Sequence, residues 1–321
     1  VAKYHCNENS YGYVGGLAGK VTEAIELNDS SNSGSILRMD SYNSAVYAYT
    51  GGLIGRTVKK IRMQDCSNTG EVRQGSCAGG LIGQADDTVE MSGCSNAGRI
   101  SGSYGYSAGL IARAAKDVEI EKCINTGEVI EGFSVGGIIG ICDGTAVISD
   151  CVNSGDISQN YKEQDCGGIA GRLSKMKLLN CRNEGSISCI TYTAGIVGGG
   201  SGSILGCSNY GEVCSSGYET TYAAGIFTHI YGTTVIEQCV NYGTIGGGRY
   251  KYAIAGTYST LSIKNCRNYG EAYYFSTGSG VENLNYGTIR GDAVGANLSV
   301  GSGKGGSATA SIMTGSGIIL N

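Results

Sequence analysis

Apolar residues along this chain fall in short runs, none long enough for a helix, separated by glycine- and asparagine-containing turns. One run recurs as two apolar residues spaced by two, standing five and three positions before a cysteine. Val118 and Ile120 precede Cys123 in this way, Met176 and Leu178 precede Cys181, and Leu261 and Ile263 precede Cys266. A second run is Gly-Gly-Leu/Ile-x-Gly, starting at Gly15, Gly51, Gly79, Gly136 and Gly167, with looser versions from Ala108, Ala194, Ala224 and Tyr252. A third run follows the cysteine, where a Val or Ile stands at +6, as Val129 does after Cys123. Three runs per unit predict three short strands per unit. A stretch such as Arg113 to Lys122 looks helical by itself, but its register with the other units overrules that reading.

Between the runs lies the signature Cys-x-Asn-x-Gly, with eight copies led by Cys66, Cys94, Cys123, Cys151, Cys181, Cys207, Cys239 and Cys266. Steps between them are 28, 29, 28, 30, 26, 32 and 27 residues, so the unit tolerates small insertions without changing. Weaker copies flank the series at Ser30-Asn32-Gly34 and Asn283-Asn285-Gly287. The expectation is an all-β parallel β-helix, or β-solenoid, of about ten coils of roughly 28 residues. At the ~4.8 Å spacing of paired strands it makes a rod of roughly 50 Å, right-handed if the rule for parallel crossovers extends to it. Residues 1–14 read as a degenerate first coil or cap, 15–290 as the repeats, and 291–321 as a Gly/Ser-rich cap or assembly strand.

Parity along a strand places Cys and the Asn at +2 on the same, inward side. Stacked inward amides satisfy one another, which predicts a structural ladder of Asn68, Asn96, Asn125, Asn153, Asn183, Asn209, Asn241 and Asn268. The eight stacked cysteines read as small buried free thiols, because parallel Cβ vectors ~4.8 Å apart suit a disulfide poorly. Among Cys6, Cys77, Cys142, Cys166, Cys189 and Cys214, off the ladder, one pair could bridge. No Cys-x-x-Cys is present, and only His5 and His229 could assist, so neither a metal site nor any other cofactor has spacing to support it.

Composition sharpens the turn argument: Gly is 56 of 321 residues and Pro is absent, so Gly, Asn and Ser must make every reversal, chiefly through positive φ at Gly and Asn. A net charge of −4 offers no basic field for nucleic acid. No run approaches the ~18 apolar residues of a membrane span, and Val1 to Gly15 lack the layout of a signal peptide. The chain starts without Met and in mid-pattern, which reads as a piece of something longer.

The alternation of Gly-Gly-Leu/Ile-x-Gly, as in Gly52-Leu53-Ile54-Gly55, with Ile-x-x-Cys-x-x-x-Gly-x-Val resembles the GLUG motif over nearly the whole chain, from Gly15 to Ile289. That resemblance implies a bacterial surface or secreted setting, as in large adhesins and the non-catalytic repeats of IgA-specific metallopeptidases. No His-Glu-x-x-His is present, so no peptidase centre carries over. Leucine-rich repeats, the nearest competitor, would need a Leu-rich convex side where this chain has Gly-Gly-Ile.

Three columns are candidates for chemistry. Glu71, Arg99, Glu128, Asp156, Ser186, Glu212, Thr244 and Glu271 follow the turn glycine; Glu128 and Asp156 are the pair a polysaccharide-active enzyme would use, although an outward column of soluble residues explains them better. Tyr13, Tyr49, Tyr106, Tyr192, Tyr222 and Tyr250, interrupted by Cys77, Ser134 and Asp165, read as half-buried corner packing. Tyr210, Tyr242, Tyr269 and Tyr286 point outward between the turn Asn and Gly, where they would form a stripe able to bind a glycan or a host protein. The leading expectation is a non-catalytic extracellular rod, adhesive or spacer. The alternative is a fibre subunit joining other copies end to end through Ile318, Ile319 and Leu320.

Overall fold

A computed structural model describes residues 2–4, 12–38, 48–161, 165–217, 221–256, 261–276, 279–281 and 283–289. Among these residues there is no helix, and therefore none long and apolar enough to cross a membrane. The chain is a parallel β-solenoid. One coil runs through Ile54–Thr57, Ile61–Gln64, Ser67–Asn68 and Val72–Gly79. Each strand pairs in parallel with its counterpart one coil on, as Ile61–Gln64 does with Val89–Ser92. Arg113 to Lys122 is extended as expected, carrying the strands Ile111–Ala114 and Val118–Glu121.

Three expectations are corrected. About seven full turns are stacked, not ten. The eight regular copies enclose seven intervals; the flanking ladder steps, 36 residues from Asn32 to Asn68 and 17 from Asn268 to Asn285, depart from that length. The coil has a fourth strand, because the two residues ending at the turn Asn pair with their own copies in a separate ten-stranded sheet. The backbone of that turn donates to the coil before it, from Ser95 to the Cys66 carbonyl at 2.9 Å and from Ala97 to the Asn68 carbonyl at 2.8 Å. Finally, positive φ is found at Gly and Asn but is shared with Asp, Gln, Lys and Glu. It recurs at the residue before each ladder cysteine: Asp65, Gly93, Lys122, Asp150, Asn180, Gly206, Gln238 and Asn265, at φ of 52° to 65°, with Asp29 ahead of Ser30 at 49°. One such residue turns the strand sharply into the ladder.

The asparagine ladder is present and continuous. From Asn32 to Asn285, each Nδ2 donates to Oδ1 of the next coil's Asn at 2.7–2.9 Å. The same nitrogen donates to the carbonyl of the turn Gly two residues on, at 2.7–2.9 Å. A Cβ on Gly137 would collide with the Asn153 amide and the Gly168 carbonyl. From Gly16 to Gly225 a buried amide lies flat on the second Gly of the signature across the coil; in the next coil Ala253 takes that place. This pinch divides the interior: Leu81, Ile82, Val89, Met91 and Cys94 belong to the main core, while Ile100 belongs to a smaller one with Val72, Val129 and Val135.

The eight ladder cysteines are free and buried. Each thiol donates to the carbonyl two residues before it at 3.2–3.6 Å, next to the left-handed turn. Ser30, in the cysteine position, makes the same bond at 3.1 Å. Off the ladder, Cys166 and Cys189 form a disulfide across 6.5 Å of Cα separation. Cys6 lies outside the described residues, as do His5 and Ile318 to Leu320.

Candidate functional site

In the two-residue ladder strands Asn faces in, so its neighbours on both sides face out. The position after Asn is Thr69, Ala97, Thr126, Ser154 and Glu184 in the earlier coils and becomes Tyr210, Tyr242, Tyr269 and Tyr286 in the later ones. The backbone fixes each tyrosine: their amides donate to Asn183, Asn209, Asn241 and Asn268 of the previous coil at 2.7–2.8 Å. Their rings stack face to face, with centroids 4.5, 5.0 and 4.9 Å apart and planes within 10°. They remain 42–58% exposed. The Arg182 guanidinium covers the outer side of the first ring, 5.9 Å from the Tyr210 centroid. Stacking thus uses up the ring faces between neighbours and leaves a row of ring edges and hydroxyls. Burial, then the neighbouring Tyr210 hydroxyl, pushes the Tyr242 phenol up, which keeps that residue a hydroxyl.

The residues before each Asn point to the same side. Val240, Arg267 and Leu284 there, with Gln238 and Asn265, line an open groove of about 490 Å³ beside the stripe. Leu284 is itself 41% exposed. This is a mixed surface of aromatic edges, aliphatic carbons, one guanidinium and two amides.

The acidic column is arranged differently. Glu128 accepts from Arg99 Nε at 2.7 Å, and Asp156 accepts from the Ser186 amide at 2.8 Å, so each carboxylate is engaged with its own partner. Further ion pairs lace neighbouring coils, Arg56 to Asp86 at 2.6 Å, Arg62 to Glu90 at 2.6 Å and Arg113 to Asp143 at 2.9 Å. The corner tyrosines are half-buried and stacked where they are adjacent, Tyr13 on Tyr49 and Tyr192 on Tyr222, both at 5.6 Å, while Tyr222 is fully covered.

One cluster was not visible in the sequence. Asp165, which breaks the corner tyrosine column, is buried and lies 3.0 Å from Nδ1 of His229, two coils on. Tyr231 donates to its other oxygen at 3.1 Å. The only signal was that Asp165 interrupts an aromatic column; nothing local links it to a residue 64 positions away. The chain matches no protein-family model, no curated protein and no solved structure. Its resemblance to GLUG repeats therefore rests on the motif residues alone.

Proposed function

We propose that this chain is a non-catalytic extracellular repeat module, an adhesive or spacer rod of a bacterial surface, whose Tyr210–Tyr286 stripe is its contact face for a protein partner. The observation that carries the reading is the row of four stacked, exposed tyrosines beside a groove containing Arg267, Val240 and Leu284. Tyr and Arg on an apolar ground are the residues that dominate protein contacts. Rigid stacking lowers the cost of binding, because the side chains have already lost their rotamer freedom. A sugar would pack its apolar face on a ring face, and in this stripe those faces are covered by the next tyrosine, which favours a protein over a glycan.

Two further features support the setting. The Cys166–Cys189 disulfide suits an oxidising compartment, and the GLUG resemblance points to secreted and surface proteins. Engagement of Glu128 and Asp156 with separate partners favours binding over hydrolysis. The test is to screen the folded chain against arrays of extracellular proteins and of glycans. Saturable binding to a protein is expected; binding to glycans alone would replace the partner class, and binding to neither would overturn the reading.

A further inference from the structure

The side of the coil that follows the Gly-Gly signature carries a column in register: Lys20, Arg56, Gln84, Arg113, Ile141, Arg172, Gly199 and His229. Its arginines follow a rule. Arg56 is neutralised by Asp86, and Arg113 by Asp143, each aspartate standing two residues past the column position in the following coil. For Arg172 that place is Ser201, whose hydroxyl is spent on the Ser174 carbonyl at 2.9 Å. Among the described residues Arg172 pairs with no carboxylate; its guanidinium lies 5.6 Å from the Tyr231 ring centroid and hydrogen-bonds that residue's hydroxyl.

The next column position, Gly199, has no side chain, and a Cβ there would press on the Asp165 carboxyl. Above this notch stands His229, stacked on Tyr192 at 3.9 Å. Asp165 accepts from the Tyr231 hydroxyl through one oxygen and faces His229 Nδ1 with the other, and among the described residues it makes no ion pair with Arg172. Nδ1 lies 2.9 Å from the Tyr231 hydroxyl as well; because that hydroxyl gives its proton to Asp165, Nδ1 is the donor to the carboxylate, which leaves Nε2 as the acceptor on a side chain 30% exposed. Burial, then Asp165, pushes the Tyr231 phenol up and keeps it a hydroxyl.

We propose that Arg172, His229 and Tyr231 form a binding site for a hydroxy-carboxylate of the acidic-sugar class. The ligand carboxylate takes the place on Arg172 that Asp86 and Asp143 take on the arginines below, and its hydroxyl donates to His229 Nε2. A planar guanidinium receives a carboxylate through two parallel bonds. The site lies away from the tyrosine stripe, on another side of the coil, and stands independently of the protein-contact reading.

With two histidines in the chain, His5 and His229, ring signals in an NMR spectrum are few, and His229→Gln assigns them. Galacturonate added at constant ionic strength is expected to shift the His229 signals saturably. Its neutral methyl ester, which lacks the charge, and acetate, which lacks the hydroxyl, should bind roughly tenfold or more weakly, the scale of one lost charged hydrogen bond. Ser201→Asp supplies Arg172 with the internal partner of its neighbours and should abolish the shift while removing no site residue. Arg172→Gln should do the same, with the melting curve of each variant reporting the fold. Unmoved His229 signals, equal shifts by the methyl ester, or wild-type binding by folded Ser201→Asp would each overturn the proposal.

Discussion

At the scale of the residue, the ladder asparagine is the most constrained position. Asn153 donates to Asn183 and to the Gly155 carbonyl and accepts from Asn125, all in a fully buried setting. Replacing it with Ala strands buried partners on both sides, and Asn153→Ala is expected to lower stability by roughly 3 kcal/mol or more in urea denaturation. Half-buried Asn32, at the start of the ladder, should cost about 1 kcal/mol. Gly137→Ala should also lower stability, by less than Asn153→Ala, since its Cβ presses on that same amide while a later coil accommodates Ala253 at the equivalent place. The inward Asn was legible from parity with Cys and Val. That the Asn residues from Asn32 to Asn241 each lie on the second residue of the glycine signature was not, because the contact depends on how the coil closes and no local pattern couples Gly137 to Asn153.

At the scale of the element, one left-handed residue sets the turn into the ladder strand. Lys122 holds φ of 52° there, which costs a residue with a Cβ roughly 1 kcal/mol. Lys122→Gly should therefore stabilise the chain slightly, by up to about 1 kcal/mol, whereas Gly206→Val, a β-branched residue at φ of 65°, should destabilise it by about 2 kcal/mol. Thermal melts of both variants check the sign. Asp, Asn or Gly at most of these positions was a visible clue, masked by the louder Gly-Gly signature and broken by Lys122 and Gln238. The three apolar strands could be read because their period of two survives in every unit; the fourth could not, because two residues are too short to show a period. Reducing the Cys166–Cys189 bridge, which closes a loop spanning 23 residues, should lower stability by about 3 kcal/mol.

At the scale of the whole molecule, the described coils share a main core of apolar side chains and thiols beside a smaller one. Burial holds Cys77 and Cys142 up to about 12, from an ordinary 9. Above pH 9 the unfolded chain loses these protons while the folded chain keeps them, so the unfolded state binds fewer. The contribution of these thiols should accordingly be constant below pH 9, and stability should fall from there towards 12, at most about 1.4 kcal/mol per pH unit for each thiol. A melting series across that range checks it. Outward columns differ along the rod: ion pairs such as Arg62–Glu90 lace the earlier coils, and the tyrosine stripe occupies the later ones. Whether a seven-turn rod also joins end to end is read from size-exclusion chromatography at several concentrations, where sideways binding predicts a single species at all of them.

If the stripe is the contact face, the affinity of the chain for its array-identified protein partner should change when Tyr210, Tyr242, Tyr269 and Tyr286 are replaced together by Ser. These side chains are outside the core, so the fold should survive, as judged by an unchanged circular dichroism spectrum. Binding is predicted to weaken by at least about a hundredfold, the loss of roughly 2.8 kcal/mol at a contact centred on the tyrosines. Affinity unchanged in the folded variant would contradict the account.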